Sequence, residues 1–240
     1  EIGFNPIILD IKDLKKDPEL WDRMDVLWIH RPDTVEFSKK ETREWFADSL
    51  KSDVKKGGGL LLTLDAVRLL NLKGIETEPF MSWDKEASNN GYGRMLGIHG
   101  IGEHPVFEGL NGGSYINKPV EDIEIRVLGF KDGKVPNNGK VVGVDWDYIF
   151  VREDKKILME YQVGKGRILA CGAYILFGQE NVNRQHLEKF LGNALKFLIS
   201  KPETEEQQYW HYGKQEVVEM ELPTTYRTIT VNEPKNWGKY

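Results

Sequence analysis

One cysteine, Cys171, stands in 240 residues, so no disulfide can close within the chain, and cysteine usage leaves the compartment open between cytoplasm and a periplasm-like space. No apolar run approaches the roughly 20 residues of a membrane-spanning helix. The amino end, EIGFNPIILD, lacks the basic-then-apolar grammar of a signal peptide, and the chain reads as though already trimmed. A basic run is missing too: 33 basic against 38 acidic residues give a net charge of -5, and a nucleic-acid groove has no electrostatic support. Neither an internal repeat nor a low-complexity tract is present. What remains is a globular composition, 40% hydrophobic and 30% charged, enough for one sizeable core or one core plus an appendage.

The stretch that organises the chain is Lys55 to Leu72, KKGGGLLLTLDAVRLLNL. Three glycines lead into Leu60 to Leu64, where only Thr63 is polar, and a run so short and apolar fits a strand buried on both faces of a parallel sheet. A helix pattern follows, with Asp65 as candidate N-cap and Val67, Leu69, Leu70 and Leu72 as apolar contacts. A strand, a sharp turn and a helix form the corner where open α/β sheets bind ligands and do chemistry. Here that corner holds Thr63, Leu64 and Asp65, none of them a strong nucleophile with a base beside it in sequence.

In chain order, Pro6 to Ile11 and Asp25 to His30 read as two short buried strands. Ser38 to Glu41 carries a Ser-x-x-Glu capping box, and Trp45, Phe46, Leu50 and Val54 recur at helical spacing until Gly57. The first 72 residues thus spell strand, link, strand, helix, strand, helix, the grammar of a doubly wound sheet. From Glu76 to Gly113 the pattern breaks into a long irregular region, the kind that is usually functional or interface-forming. Its glycines do not fit a dinucleotide fingerprint, since their spacing is wrong and no strand feeds them.

The next block is rich in strand signals: Val120 to Phe130, Lys140 to Val144, Tyr148 to Val151, and Ile157 to Val163 paired through Gly164-Lys165-Gly166 with Arg167 to Cys171. Asn181 or Asn183 then opens a helix whose Leu187, Phe190, Leu191, Ala194, Leu195 and Leu198 form the clearest amphipathic stripe in the sequence. Pro202 ends it. The expected division is an α/β domain over residues 1–200 and, over 201–240, a polar linker and an extended arm. That arm is dense in aromatics, among them Tyr209, Trp210, Tyr212, Trp237 and Tyr240; too short for an ordinary core of its own, it is expected to lie on a neighbouring domain or a second subunit.

Several polar residues are candidates for chemistry. His30, followed by Arg31-Pro32-Asp33, can face the same crevice as Asp65 and join it in binding a polyol or a metal, or simply cap its strand through a hydrogen bond. His99, Glu103 and His104 match no zinc spacing, and a histidine before a proline is more often structural. Asp145-Trp146-Asp147-Tyr148 places two carboxylates on one strand face around a tryptophan, a combination suited to sugar stacking, with a solvated strand edge as the plain alternative. Cys171 reads as a buried, inert thiol. No cofactor motif and no metal motif is present.

The segment Glu160 to Gly172 (EYQVGKGRILACG), Asn183-Arg184 and the closing Phe190 to Leu198 (FLGNALKFL) resemble the end of a class I glutamine amidotransferase-like domain. The nearest branches are the trehalose-utilisation (ThuA-like) proteins and the middle domain of certain bacterial β-galactosidases. Lys56-Gly57-Gly58-Gly59 before a strand and Glu103 to Leu110 (EHPVFEGL) resemble the same group. Together these motifs cover most of residues 1–200 and imply a three-layer, mostly parallel, doubly wound flavodoxin-like sheet with a β-rich insertion. True amidotransferases carry a cysteine at the elbow, where this chain has Leu62-Thr63-Leu64-Asp65. ThuA-like proteins tend to carry histidines there and after the Gly-Lys-Gly-Arg strand, where this chain has Leu64-Asp65 and Gly172-Ala173-Tyr174. Glutamine hydrolysis is not expected. Two functions remain open: a non-catalytic module of a carbohydrate-processing protein, binding sugar through Asp145, Trp146, Asp147 and Tyr174 or serving assembly, and a ThuA-like sugar-directed hydrolase or isomerase using His30, Asp65 and His104.

Overall fold

The structure is a computed structural model that describes residues 3–31, 37, 44–87, 96–117, 123–147, 150–175, 177, 181 and 183–200. The chain divides into two units, Glu1–Thr204 and Glu205–Tyr240, and every element named here belongs to the first. The Ser38–Glu41 capping box, the Asn89-Asn90-Gly91 turn, Tyr148, Pro202 and the aromatic residues of the arm lie outside the described residues.

The first apolar run is not a strand. Asp10 caps a short helix, α1 (Ile11–Lys16), accepting from the Lys12 amide while the Asp13 carboxylate accepts from the Asp10 amide. Ile8, before it, is 98% exposed. This is a capping box written with two aspartates, and the cap outweighs the apolar run. A second short helix, α2 (Glu19–Asp22), brings Leu20 and Trp21 into the core.

The strands β1 (Val26–Arg31) and β2 (Gly59–Leu64) pair in parallel, joined by α3 (Glu44–Lys56). Phe46, Leu50 and Val54 of α3 are buried at helical spacing. After β2 the chain makes a 3₁₀ turn (Asp65–Arg68) and the short helix α4 (Leu69–Leu72). Two strands occupy the region expected to be irregular: β3 (Met81–Ala87) and β4 (Leu96–Gly100). Then come β5 (Gly113–Asn117), β6 (Ile123–Gly129), β7 (Lys140–Asp147), the long β8 (Phe150–Val163) and β9 (Gly166–Cys171). The last element is α5 (Arg184–Ile199).

The main sheet has seven strands in the order β1-β2-β9-β8-β7-β4-β5, and β3 and β6 form a separate antiparallel pair. Only β1–β2 and β2–β9 are parallel, while β9–β8, β8–β7, β7–β4 and β4–β5 all run antiparallel. The sheet is therefore mixed, where the sequence had pointed to a mostly parallel one. The reason is local. The β8–β9 connection at Gly164-Lys165 is a tight hairpin, with Gly164 at φ 64 and a Lys55 carbonyl oxygen 2.7 Å from where a Cβ would stand, and a tight hairpin reverses the chain.

The two sheet faces alternate along each central strand. Leu61, Leu158, Leu169 and Cys171 pack with Leu187, Phe190, Ala194 and Leu198 of α5. Leu60, Leu62, Met159, Tyr161, Ile168 and Ala170 pack instead with Phe46, Leu50 and Val54 of α3. All six residues of β2 and all six of β9 are buried, as befits strands covered on both faces. Arg167 lies buried under the end of α5: Nη1 donates to the Phe197 carbonyl at 3.2 Å and to Ser200 Oγ at 2.9 Å, placing a cation at the negative pole of the helix.

Candidate functional site

The carboxyl ends of β1 and β2 are where an open α/β sheet offers a crevice. His30 stands opposite Thr63 across the parallel pair. Thr63 is fully buried, and its hydroxyl is a hub: it accepts from Trp28 Nε1 at 2.9 Å, lies 2.9 Å from His30 Nδ1, and is 3.4 Å from the Ile29 carbonyl. One hydroxyl proton serves two acceptors. It goes to His30 Nδ1 when the imidazole carries its hydrogen on Nε2, and to Ile29 when Nδ1 is protonated.

A threonine 2.9 Å from an imidazole has the spacing of nucleophile and base. With no accessible surface on Thr63, however, no substrate atom can reach its Oγ1. The His30 ring meets Trp28 edge-on at 6.0 Å and Phe177 at 5.7 Å, and Trp28 meets Phe177 at 5.7 Å. Desolvation in this company lowers the His30 pKa below its ordinary value, so at neutral pH the ring is uncharged.

At the elbow itself stands Leu64, at φ 57 and ψ -133 with its side chain buried. A leucine rarely takes a left-handed φ, and the turn holds it there. Asp65 is not the helix cap the sequence predicts. The cap position falls on Leu64, and the buried Asp65 carboxylate instead lies 3.3 Å from Arg68 Nε and 3.6 Å from Arg126 Nη2. Two guanidinium groups engage it.

His104, the third candidate for chemistry, has a structural post. It caps the short 3₁₀ turn Pro105–Phe107, with Nδ1 accepting from the Val106 amide at 3.2 Å. Its Nε2 lies 3.5 Å from Glu160 Oε2, and its ring packs 4.7 Å from Phe197 of α5. His30, Asp65 and His104 thus sit in three different sets of partners. Among the described residues, no group of three His, Cys, Asp or Glu side chains is placed to hold a metal ion.

Of the four residues expected to bind sugar, two come together. Asp145 and Tyr174 line a cavity with Lys85, Leu96, Gly97 and Ile125. Its volume is about 10 Å³, room for a single water and far from room for a sugar ring. Asp145 is buried rather than solvated on a strand edge, because Lys85, which carries no cue in the sequence, reaches across from β3 to bind its Oδ1 at 2.6 Å. Trp146 turns away from that cavity and packs edge-on against His99 at 5.4 Å and 87°. Asp147, two residues on, is half-buried. Cys171 is fully buried, and desolvation pushes its thiol up to about 12.

No protein-family model and no curated protein matches the chain. Solved structures do. A cytoplasmic protein from Salmonella typhimurium is 17% identical, with 82% of this chain and 77% of that one covered and a TM-score of 0.42. A ThuA-like protein from Parabacteroides merdae is 11% identical over 77% of this chain and 74% of that one, with a TM-score of 0.48. The β-galactosidase of Rahnella sp. R3 is 11% identical over 73% of this chain, at a TM-score of 0.38, and the chain spans only 23% of that enzyme's length. Likeness at this level leaves the function to be argued from the site.

The sequence marks His30 and Thr63 at the ends of their strands, where the structure pairs them across β1 and β2, but passes over their aromatic neighbours. Trp28 shares a strand face with His30 by the two-residue period, a signal that was there to read. Phe177 follows no pattern in sequence; only the fold brings it to the same corner.

Proposed function

We propose that the chain is a non-catalytic module with an amidotransferase-like, ThuA-like architecture that works within carbohydrate processing, through sugar binding or assembly. One observation carries the reading: the elbow that places a reactive side chain in active relatives is occupied here by the buried Leu64, in a left-handed conformation that keeps the shape of the turn without its chemistry. The groups around it point the same way. Thr63 is sealed from solvent, Asp65 is bound by two arginines, and the one thiol, Cys171, is fully buried.

The alternative, a sugar-directed hydrolase or isomerase, needs His30, Asp65 and His104 to act on one substrate, and each is engaged by partners of its own. The link to carbohydrate comes from the resemblance carried by Glu160 to Gly172 and Glu103 to Leu110, together with the open aromatic corner beside His30. We assign residues 1–200 to the module and 201–240, with Tyr209, Trp210, Tyr212 and Trp237, to contact with a neighbouring domain or a second subunit.

Thermal unfolding of the chain against mono- and oligosaccharides, with and without divalent metals, tests this reading, since a ligand that binds only the folded state raises the melting temperature. A saccharide-dependent rise that is the same with and without metal is expected. A rise that requires metal, accompanied by breakdown of the sugar, would overturn it.

A further inference from the structure

Trp28 and Phe177 are each 37% exposed, a large apolar area to leave open at the ligand end of the parallel strands. Their rings do not lie flat on a common plane. Interplanar angles of 63° to 73° among Trp28, His30 and Phe177 set three rings around a corner, each meeting the others edge to face. The Trp28 indole is fixed in place, since its N–H is spent on Thr63. Among the described residues no carboxylate or cation is paired with His30.

A corner of this kind suits one class of ligand. The negative faces of aromatic rings attract polarised C–H groups, a neutral imidazole exchanges a hydrogen bond with a hydroxyl, and with no charged group among the described residues paired to His30 the corner suits an uncharged, hydroxylated ring. We propose that Trp28, His30 and Phe177 form the sugar-binding corner of this module, Trp28 stacking on the apolar face of a neutral pyranose and Phe177 closing against its side while His30 Nε2 bonds one of its hydroxyls. The inference rests on the carbohydrate-module reading and gives it an address, distinct from the small Asp145–Tyr174 cavity.

The test is a titration of the ¹⁵N-labelled chain with methyl β-galactoside, methyl β-glucoside and lactose, followed in every variant through the backbone amide cross-peaks of the Val26–Arg31 strand and, where Trp28 is retained, also through its indole cross-peak, which is identified by its loss in Trp28→Phe. Cyclohexanol serves as an apolar ring with a single hydroxyl. Saturable shifts with at least one saccharide are expected, about tenfold weaker in Trp28→Ala and Phe177→Ala, given the worth of an aromatic contact, and little changed in Trp28→Phe. Melting temperatures of the variants check that each still folds. Saccharide binding that is equally strong in Trp28→Ala and Phe177→Ala would overturn the corner and leave the module reading standing. Shifts with cyclohexanol alone would also overturn it, marking an apolar contact surface. No shift with any probe would overturn the corner and count against the sugar-binding arm of the module reading as well.

Discussion

Lys85 Nζ lies 2.6 Å from Asp145 Oδ1, and both side chains are buried. The pair ties the small β3–β6 sheet to β7 of the main sheet, while Asp145 Oδ2 stays buried without a hydrogen-bond partner among the described residues. Removing one charge leaves the other stranded in a poor solvent for ions, a cost of about 3–5 kcal/mol. Lys85→Met and Asp145→Leu are each expected to lower stability by that order in chemical denaturation. The double variant should recover most of the loss, as apolar replacements of buried pairs often do.

Glu76 is fully buried, and its carboxylate gathers four backbone amides: Thr77, Glu78 and Asn137 at Oε1, Asn138 at Oε2. It pins the loop after α4 to the loop before β7. Glu76→Gln turns one acceptor into a donor facing amides, and charged-group hydrogen bonds are worth about 1.5–3 kcal/mol. A fall in stability of roughly that size is expected by urea denaturation, with the far-UV circular dichroism of the folded state unchanged.

Asp53, near the end of α3, is pushed up to about 6, chiefly by desolvation and further by the Asp22 charge, with Lys56 opposing. A carboxyl that holds its proton more tightly when folded favours the folded state at low pH. That contribution is lost as pH rises from about 4 through about 6. Asp53→Asn should therefore match the wild type near pH 4 and exceed it at pH 7.5 by about 1 kcal/mol, a figure discounted for partial exposure. Paired denaturation curves at the two pH values check it.

Full burial and a thiol pKa of about 12 make Cys171 unreactive in the folded chain. Modification by a disulfide reagent at pH 8 is expected to be slow under native conditions and to become complete within the mixing time in denaturant. Rapid native labelling would contradict the placement of Cys171 between the sheet and α5.

Much of this fold is legible in the sequence where pattern and environment agree. The apolar run Leu60 to Leu64, the 3.6-residue stripe of α5 and the glycine-marked Gly164-Lys165 hairpin each carry a local signal of the element they form, and each is found where expected. Pro6 to Ile11 misleads because Asp10 and Asp13 outweigh the apolar run with a cap written in an unusual pair. The strands β3 and β4 hide because MSWDKEA and LGIHG alternate poorly and their pairing partners are remote in sequence. At the site, His30 and Thr63 are neighbours by register, which two adjacent strands make predictable. Lys85 on Asp145 and Phe177 beside Trp28 arise from long-range packing that no local period encodes.

Turnover decides between a filled elbow and a working one. The full chain, incubated with the saccharides above and watched by NMR for released or isomerised sugar, should give no product at any pH from 5 to 8, with His30→Ala and Asp65→Asn indistinguishable from the wild type. Product formed at a rate that falls when His30 or Asp65 is replaced would contradict the reading of Leu64 as the occupant of a silent corner.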